Sequence, residues 1–252
     1  MEPSPLVSVI MPSYNAERYI AESISSVLNQ TYPHWELLIT DDCSTDNTVA
    51  IARSFAEQDS RIKLKVAEHH SGIANTRNQS LLRMQGRFVA FLDNDDLWVP
   101  EKLEKQVRFM MENDFAFSYS AYELIKEDGT PKGKIIKTAG VIDYKKYLRN
   151  TIIGSGTIML DRDKTSPLTM PENATSDDMA LWCKILKKGH HAHPIQEVLM
   201  KYRVRNNSAS ANKWKAAQDV WRVYRNQEHL SFTYALWCFI GYAWNAVIKR
   251  MI

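Results

Sequence analysis

Short apolar runs alternate with helical patterns through the first half of the chain. In the first helical pattern apolar residues recur three or four positions apart, as Ile20, Ile24 and Val27 do. Such alternation predicts an α/β fold, with a parallel sheet and helices on both of its faces. We expect Asn15 to cap the first helix. The predicted strands are 7–11, 37–40, 62–66 and 88–92, and the predicted helices follow Asn15, Ser44 to Asp46, Gly72 and Pro100.

Polar residues gather where the predicted strands end. The runs VSVIM, LLIT and FVAFL are continuously apolar, as fully buried parallel strands are. Ligands of such sheets bind beyond the carboxyl ends of the strands, so this edge is the predicted ligand site. The residues there are Pro12 to Asn15 after the first strand, Asp41 and Asp42 after the second, and Asp93 to Asp96 after the fourth.

The second half of the chain is less regular, and its patterns mix strands with helices. No internal repeat is present, so a repeat architecture is not indicated. The expected strands are 115–124, 157–160 and 198–204, with a turn at 128–129, and the expected helices are 144–149, the segment after Ser176, and 213–228.

Composition excludes several classes of protein. The 252 residues, 44% of them hydrophobic, suffice for one large domain with an appendage. A net charge of +3 is too small to indicate a nucleic-acid partner. Three cysteines without a spacing motif favour a reduced, cytosolic compartment. The first residues lack a basic segment followed by an apolar core, so we expect no signal peptide.

The stretch FLDNDDLW places three carboxylates within four positions at a strand end. Asp93 and Asp95, on a turn, can hold Mn²⁺ or Mg²⁺ through oxygen ligands, and the cation would screen a diphosphate. The alternative is turn chemistry, with Asp96 capping the helix at Pro100. The acidic residues at the other strand ends favour the metal site over the turn alternative.

Further candidates each carry a structural alternative. Asp41 and Asp42 can accept hydrogen bonds from a base or ribose, or can cap the next helix. Tyr14 can stack on a base or pack against the protein. Arg77 can bind a phosphate through two bonds, or extend into solvent.

An acidic pair, Asp177-Asp178, begins a helix in the second half. One carboxylate can cap the helix, and a second, aimed into a cleft, can act as a general base on a hydroxyl. Neither a G-x-G-x-x-G nor a G-x-x-x-x-G-K-[ST] motif is present, so neither a dinucleotide site nor a P-loop is indicated. Phosphates would therefore need a metal and an Arg.

Several stretches together resemble the inverting family 2 glycosyltransferases of GT-A fold, and especially bacterial cell-surface polysaccharide enzymes such as teichuronic acid biosynthesis glycosyltransferases. They are VSVIMPSYNAERYIAESISSVLNQTYPHWELLITDDCSTDNT, SGIANTRNQSL, GRFVAFLDNDDLWVPEKLEKQ, TSDDMALWCKILKKG and YRVRNNSAS. The resemblance implies a Rossmann-like GT-A domain over 1–210, with a nucleotide-sugar half of about 1–115 and an acceptor half of about 116–210. Residues 211–252 would form a helical C-terminal region.

The resemblance also implies residue roles. Asp178 would be the general base, and Asp177 would take the place of the family's Glu beside it. The other roles concern the donor: Pro12 and Tyr14 would border uracil, Asp41 or Asp42 would bind uracil or ribose, Arg77 would reach the nucleotide or its phosphates, Asp93 would contact the ribose or a metal-bound water, and Asp95 would ligate Mn²⁺ or Mg²⁺.

Three positions depart from the family pattern. Cys43 stands where Gly is frequent, so the turn need not be left-handed. Asp177 is one methylene shorter than the usual Glu. Arg205 falls where many relatives carry a His near the metal. An Arg cannot coordinate a metal, but it can neutralise the departing diphosphate, which places a third protein ligand in question.

The implied activity is metal-dependent, inverting transfer of a sugar from a UDP-sugar to a hydroxyl of a growing cell-surface polysaccharide, carried on a polyprenyl diphosphate. The alternative from another class is a non-catalytic module that binds a sugar nucleotide or glycan. No nucleic-acid partner is expected. The sequence names neither the sugar nor the acceptor, which loops within 126–149 and 154–161 would read.

The C-terminal region combines aromatic and basic residues. Residues 231–248 carry no charge, and Trp214, Trp221 and Tyr224 alternate with Lys and Arg in the segment before them. This pattern is typical of a helix that lies on an anionic leaflet, which would place the protein peripherally on the inner face of the cell membrane. The alternative is a helix packed on the catalytic domain or in a dimer interface.

Overall fold

The computed structural model describes residues 4–171, 176–205 and 213–251. Its first half is the predicted β-α series, in which β1, β2 and β3 are each followed by a helix. The strands pair in the order β3-β2-β1-β4, all in parallel. The elements are β1 (Val7–Ser13), α1 (Ile20–Leu28), β2 (Trp35–Asp41), α2 (Thr48–Gln58), β3 (Ile62–Val66), α3 (Ile73–Leu81) and β4 (Phe88–Phe91).

The second half extends the same sheet with antiparallel pairs and one parallel pair, β6 with β9. Its elements are β5 (Leu97–Trp98), α4 (Lys102–Asn113), β6 (Phe117–Ile125), β7 (Pro131–Ile136), α5 (Tyr144–Arg149), a 3₁₀ turn (Ser155–Thr157), β8 (Ile158–Asp161), α6 (Arg162–Thr165), α7 (Asp177–Lys187) and β9 (Ala192–Arg203). Strand β8 runs antiparallel to both β4 and β6, and β9 runs parallel to β6. The full order is β3-β2-β1-β4-β8-β6-β9-β5, with β7 on β6. The predicted α/β class is confirmed.

Two apolar clusters lie on the two faces of this sheet. In β1, Val9 and Met11 pack with Ile24 of α1, whereas Ile10 between them packs with Leu81 of α3. Alternate residues of a strand point to opposite faces, and both faces are covered here. This explains why every residue of β1 is buried and most of them are apolar, and it leaves the strand ends as the place for exposed polar groups.

Two loops at the carboxyl edge contain residues with a left-handed backbone. Cys43 has φ 64°, so the expectation that its turn need not be left-handed is wrong. Asn15 has φ 44° and lies well before α1, so it does not cap that helix. Its Oδ1 instead accepts a hydrogen bond from the Thr45 N–H at 2.9 Å. The loops after β1 and β2 are thereby locked together.

The C-terminal region is helical and packs on the sheet domain. It consists of α8 (Lys213–Arg222), a π-helical turn (Val223–Gln227) and α9 (Phe232–Met251). Tyr224 is fully buried and donates to the Leu148 carbonyl, and Trp221 contacts the rings of Phe232 and Phe239. The expectation that Tyr224 faces a membrane is therefore wrong. Tyr224 instead fits the alternative, a helix packed on the catalytic domain.

Among the residues that the structure describes, no helix has the length and apolar character needed to cross a membrane. The predicted boundary between 210 and 211 lies outside the described residues, as do the last five residues of YRVRNNSAS.

Candidate active site

Three carboxylates lie on the loop between β4 and β5. The side chain of Asp93 is about one third exposed, whereas Asp95 and Asp96 are buried. The carboxylate of Asp96 accepts a hydrogen bond from the backbone N–H of Arg203 at 2.8 Å. The structural alternative, in which Asp96 caps the following helix, is therefore wrong, and this residue joins the loop to the end of β9.

Arg203 fixes the acidic loop from the other side. Its fully buried guanidinium donates from Nε to the Asp95 carbonyl at 2.8 Å, from Nη1 to the Glu127 carbonyl at 2.8 Å, and from Nη2 to Glu22 Oε2 at 2.6 Å. A planar fork of this kind holds three acceptors in fixed directions. Arg203 was not a candidate from the sequence, although it stands in YRVR only two positions before Arg205.

Burial and mutual repulsion oppose ionisation in the acidic loop. Burial raises the pKa of Asp95, the charge of Asp93 raises it further, and the nearby Arg205 lowers it. Burial likewise raises the pKa of Asp96 well above its ordinary value, with Asp95 adding to the effect. Arg205 Nε lies 2.6 Å from Asp95 Oδ2, although its N–H does not point along that line. The loop is a place where additional positive charge is stabilising.

Arg77 joins the acidic loop to the acidic pair at the start of α7. Its Nη2 donates to Asp93 Oδ1 at 2.7 Å and its Nη1 to Asp177 Oδ2 at 3.0 Å. Burial lowers the pKa of Arg77, but the carboxylates of Asp93, Asp177 and Asp178 outweigh it and raise that pKa overall. Burial also raises the pKa of Asp177, while the charge of Arg77 lowers it. Residues from α3, the β4 end and α7 therefore form one ionic cluster.

Asp178 is half-buried beside this cluster and is held by hydroxyl and amide donors. Its Oδ2 accepts from Ser155 Oγ at 2.9 Å, and its Oδ1 accepts from Ser176 Oγ at 3.0 Å and from the Met179 N–H at 2.7 Å. These bonds fix the carboxylate against the first turn of α7. The donor Ser155, which lies in the 3₁₀ turn before β8, was not a sequence candidate, because nothing local relates it to Asp178.

The paired acids after β2 order two different loops. Asp41 accepts hydrogen bonds from the Ser44 N–H at 2.8 Å and from its hydroxyl at 2.6 Å. Asp42 accepts from the N–H groups of Ser71 and Gly72, both at 2.8 Å, and so fixes the start of α3. Neither acid caps the helix that directly follows it.

Tyr14 lies at the surface of the same edge. It is 47% exposed, and its ring centroid lies 4.6 Å from that of His70, whose Nδ1 is 3.0 Å from Asp42 Oδ2. Pro12 is buried in β1, and its carbonyl accepts from Asn94 Nδ2 at 3.3 Å. The ends of β1, β2 and β4 thus form one continuous surface that begins at an exposed aromatic ring.

The donor set near Asp93 and Asp95 fits a hard divalent cation. Both residues supply carboxylate oxygens, which Mg²⁺ and Mn²⁺ prefer, and the charge of Asp93 raises the pKa of Asp95. Across the described parts of the chain, no group of three His, Cys, Asp or Glu side chains is arranged to hold a metal. These two carboxylates are the ligands that this loop can supply.

This fold and this edge define the class of protein. The model of the family "Glycosyl transferase family 2" matches residues 8–173, and the chain belongs to that family. The resemblance seen in the sequence is confirmed, and the protein is a glycosyltransferase.

Two relatives match over most of their length. A Bacillus subtilis protein that carries the name of a teichuronic acid biosynthesis glycosyltransferase, TuaG, is 51% identical over 247 residues, which cover 98% of each chain. The Escherichia coli WfgD, a UDP-Glc:alpha-D-GlcNAc-diphosphoundecaprenol beta-1,3-glucosyltransferase, is 44% identical over 86% of this chain and 85% of its own.

Solved structures share the GT-A fold at low sequence identity. The mannosyltransferase PcManGT of Pyrobaculum calidifontis, solved with GDP-Man and Mn²⁺, gives a TM-score of 0.72 at 20% identity, over 99% of this chain and 76% of that one. TarS 1–349 of S. aureus, solved with UDP, gives 0.68 at 20% identity, over 92% and 69%. These likenesses confirm the predicted fold.

Proposed function

We propose that this chain transfers a sugar from a UDP-sugar to a hydroxyl of a saccharide carried on a lipid diphosphate, during assembly of a cell-surface polysaccharide. The transfer inverts the anomeric centre and depends on Mn²⁺ or Mg²⁺. The names of the relatives TuaG and WfgD support the polysaccharide and the lipid-linked acceptor. The name of WfgD and the UDP-bound TarS structure support the donor.

The observation that carries the proposal is the position of Arg77 between two acidic groups. One guanidinium contacts Asp93, two residues from Asp95, and Asp177, which adjoins Asp178. A donor diphosphate beside Asp95 would therefore lie near a carboxylate suited to a general base. That proximity is what a single-displacement transfer requires, because donor and acceptor must meet at one carbon.

The UDP-sugar donor would bind at the ends of the strands. The ring of Tyr14 and the edge of Pro12 would border uracil, and Asp42 would contact uracil or ribose, since it lies beside the exposed Tyr14–His70 pair whereas Asp41 is fully enclosed. Arg77, whose guanidinium is buried against Asp93 and Asp177, would attract the nucleotide phosphates through its charge.

Asp95, with Asp93, would hold the divalent cation, which when bound supplies Lewis-acid stabilisation of the leaving diphosphate. Arg205 would turn from Asp95 to the diphosphate and neutralise part of its charge. Arg203 keeps the main chain of Asp95 in place while this exchange occurs.

The hydroxyl of the saccharide acceptor would be activated by Asp178. Its carboxylate takes the proton from the acceptor hydroxyl as that oxygen bonds to the anomeric carbon, and the bond from that carbon to the β-phosphate oxygen breaks with its electron pair leaving on UDP. Ser155 and Ser176 orient the base. Arg77 neutralises Asp177, so Asp178 does not have a second full negative charge beside it.

The proposal is tested with purified full-length protein and a set of nucleotides. UDP should raise the melting temperature when Mn²⁺ is present, GDP should raise it less, and chelation should abolish transfer to a diphosphoundecaprenol-linked GlcNAc acceptor. Equal stabilisation by GDP, or full transfer in excess chelator, would contradict the donor and metal assignments. UDP binding without turnover on any donor and acceptor would favour the non-catalytic alternative.

A further inference from the structure

Helix α9 presents a continuous apolar stripe to the outside of the molecule. Its members recur at three- to four-residue spacing, so they lie on one helix face. The opposite face, including Ala235 and Cys238, is buried in the core cluster. The exposed fractions along the stripe are 61% for Phe232, 43% for Leu236, 51% for Trp237, 60% for Ile240 and 68% for Trp244.

The stripe carries no charge along about 18 Å of helix, given a rise of about 1.5 Å per residue. Large apolar surfaces of this kind on a soluble domain mark an interaction site. Two of its residues are Trp, whose ring suits the region between lipid headgroups and acyl chains. The stripe is therefore suited to a partner that is apolar in its interior and polar at its boundary.

Basic groups flank the stripe. Arg149 of α5 lies with its Cζ 4.6 Å from the Trp237 ring, and Lys145, one turn earlier on α5, is exposed. Arg222 at the end of α8 is also exposed. Arg222 also pairs with Asp219 at 3.5 Å, and residues 229–252 contain no Asp or Glu that would offset the charge of Arg149 and Lys145 beside the stripe. This arrangement complements a surface with anionic headgroups above an apolar layer.

We infer that the exposed face of α9 docks on an anionic lipid bilayer, with its aromatic residues at the level of the headgroups and Lys145 and Arg149 against lipid phosphates. A second copy of the chain is a poorer occupant. A two-fold contact through α9 would bring the basic groups of both copies to one interface, and residues 229–252 contain no Asp or Glu to neutralise them. Neither the docking nor its test depends on the proposed reaction.

Docking through α9 also orients the candidate active site. The Arg149 carbonyl accepts from Asn245 Nδ2 at 3.1 Å, which ties α5 to α9 beside the stripe. Ser155, the donor to Asp178, follows six residues later, so it lies within about 20 Å of Arg149 even along a fully extended chain. If the proposed function holds, an acceptor anchored in the bilayer reaches Asp178 without leaving the membrane surface.

The test is cosedimentation of the full chain with vesicles of phosphatidylcholine alone or mixed with phosphatidylglycerol, in low and high salt. The wild type should bind the anionic vesicles, and should bind less to neutral ones or in high salt. The variant Ile240→Ser/Trp244→Ser should lose at least about tenfold in partitioning, since two exposed apolar groups no longer enter the interface. The control Leu82→Ser changes an 87% exposed apolar residue outside α9 and should bind as wild type does.

Circular dichroism and sedimentation velocity on the same samples separate the other outcomes. Both variants should keep the wild-type helix content and melting temperature, because the altered side chains are exposed. Unchanged vesicle binding by the double variant, or a wild type that stays in the supernatant with anionic vesicles, would overturn the inference. A concentration-dependent dimer that the double variant loses would overturn it in favour of a second copy.

Discussion

Arg77 and Asp177, one hundred residues apart in the chain, are joined by a hydrogen bond of 3.0 Å between Nη1 and Oδ2. The same guanidinium holds Asp93 at 2.7 Å, so helix α3, the end of β4 and the start of α7 meet at one buried cation. The nucleotide half and the acceptor half of the domain are thereby connected where the proposed reaction takes place.

Arg77→Met should be the most disruptive change at this junction. It leaves two carboxylates beside each other without their cation, and breaking a buried ion pair from one side costs about 3–5 kcal/mol of unfolding free energy. Urea unfolding measures that loss. The control Arg18→Met removes a pair whose Arg side chain is 70% exposed and should cost within about 1 kcal/mol. Equal costs for the two variants would show that the Arg77 cluster does not stabilise the domain.

Arg203→Lys should weaken metal use through the position of Asp95. A Lys keeps the charge but cannot replace the three directed bonds of the guanidinium, so the acidic loop loses its support on one side. We expect a loss of about 3 kcal/mol in stability and a higher Mn²⁺ concentration at half-maximal activity. Titration of activity against Mn²⁺ checks this, and a wild-type titration curve would remove Arg203 as a positioning residue.

The left-handed turn at Cys43 sets an order of stabilities. Its φ of 64° is costly for any residue with a Cβ and most costly for a β-branched one. Cys43→Gly should therefore be more stable than Cys43→Val by about 2 kcal/mol, since both variants lose the contact of Cys43 Sγ with the Ala67 carbonyl at 3.0 Å and differ in the cost of the left-handed backbone. Melting temperatures of both variants measure the order, and a Val variant as stable as the Gly variant would contradict it.

Buried Lys102 should make stability depend on alkaline pH. Burial lowers the pKa of Lys102 well below its usual value, with Gln106 and the Trp98 ring as its neighbours. The unfolded state then binds more protons than the folded state up to about pH 10, so unfolding free energy rises with pH across that interval.

Lys102→Met removes this dependence. The unfolding free energy of the wild type, relative to that of the variant, should therefore rise between about pH 7 and about pH 10. Urea unfolding at both pH values gives this difference. The loss of the hydrogen bond from Lys102 to the Gln106 side-chain oxygen costs the same at both pH values and does not affect it. Parallel pH profiles for the two proteins would show that Lys102 is charged in the folded state.

The first half of the fold was predictable because its information is local. Continuous apolar runs identified β1, β2 and β4, and polar residues at their ends identified the ligand edge. Strand β9 was expected at 198–204 but begins at Ala192. Its start was not recognised because His193 and Pro194 interrupt the apolar pattern, and because the strand pairs irregularly with β6. Pairing across the sheet, which is a tertiary effect, decides such boundaries.

The supporting contacts of the candidate site were not predictable. Ser155 donates to Asp178 from 23 positions away and Arg203 donates to the Asp95 carbonyl from 108, so no spacing rule relates them. In the C-terminal region the helical pattern was correct, but which aromatic residues face inward depended on docking against α5. Tyr224 is core, whereas Trp214 on α8 is 75% exposed and Trp237 and Trp244 on α9 are 51% and 68% exposed.

Asp178 is proposed as the base that activates the acceptor, and the variant Asp178→Asn is the decisive test of that role. The amide keeps the size of the side chain; its oxygen can still accept from Ser176 and the Met179 N–H, and its NH₂ group can donate to Ser155 Oγ, so UDP binding measured by calorimetry should stay at the wild-type value. Transfer should fall by about 10²–10⁴-fold, the usual worth of a positioned general base. Asp163→Asn, at a side chain 64% exposed, is the control and should leave both unchanged. Wild-type transfer by Asp178→Asn would contradict the account.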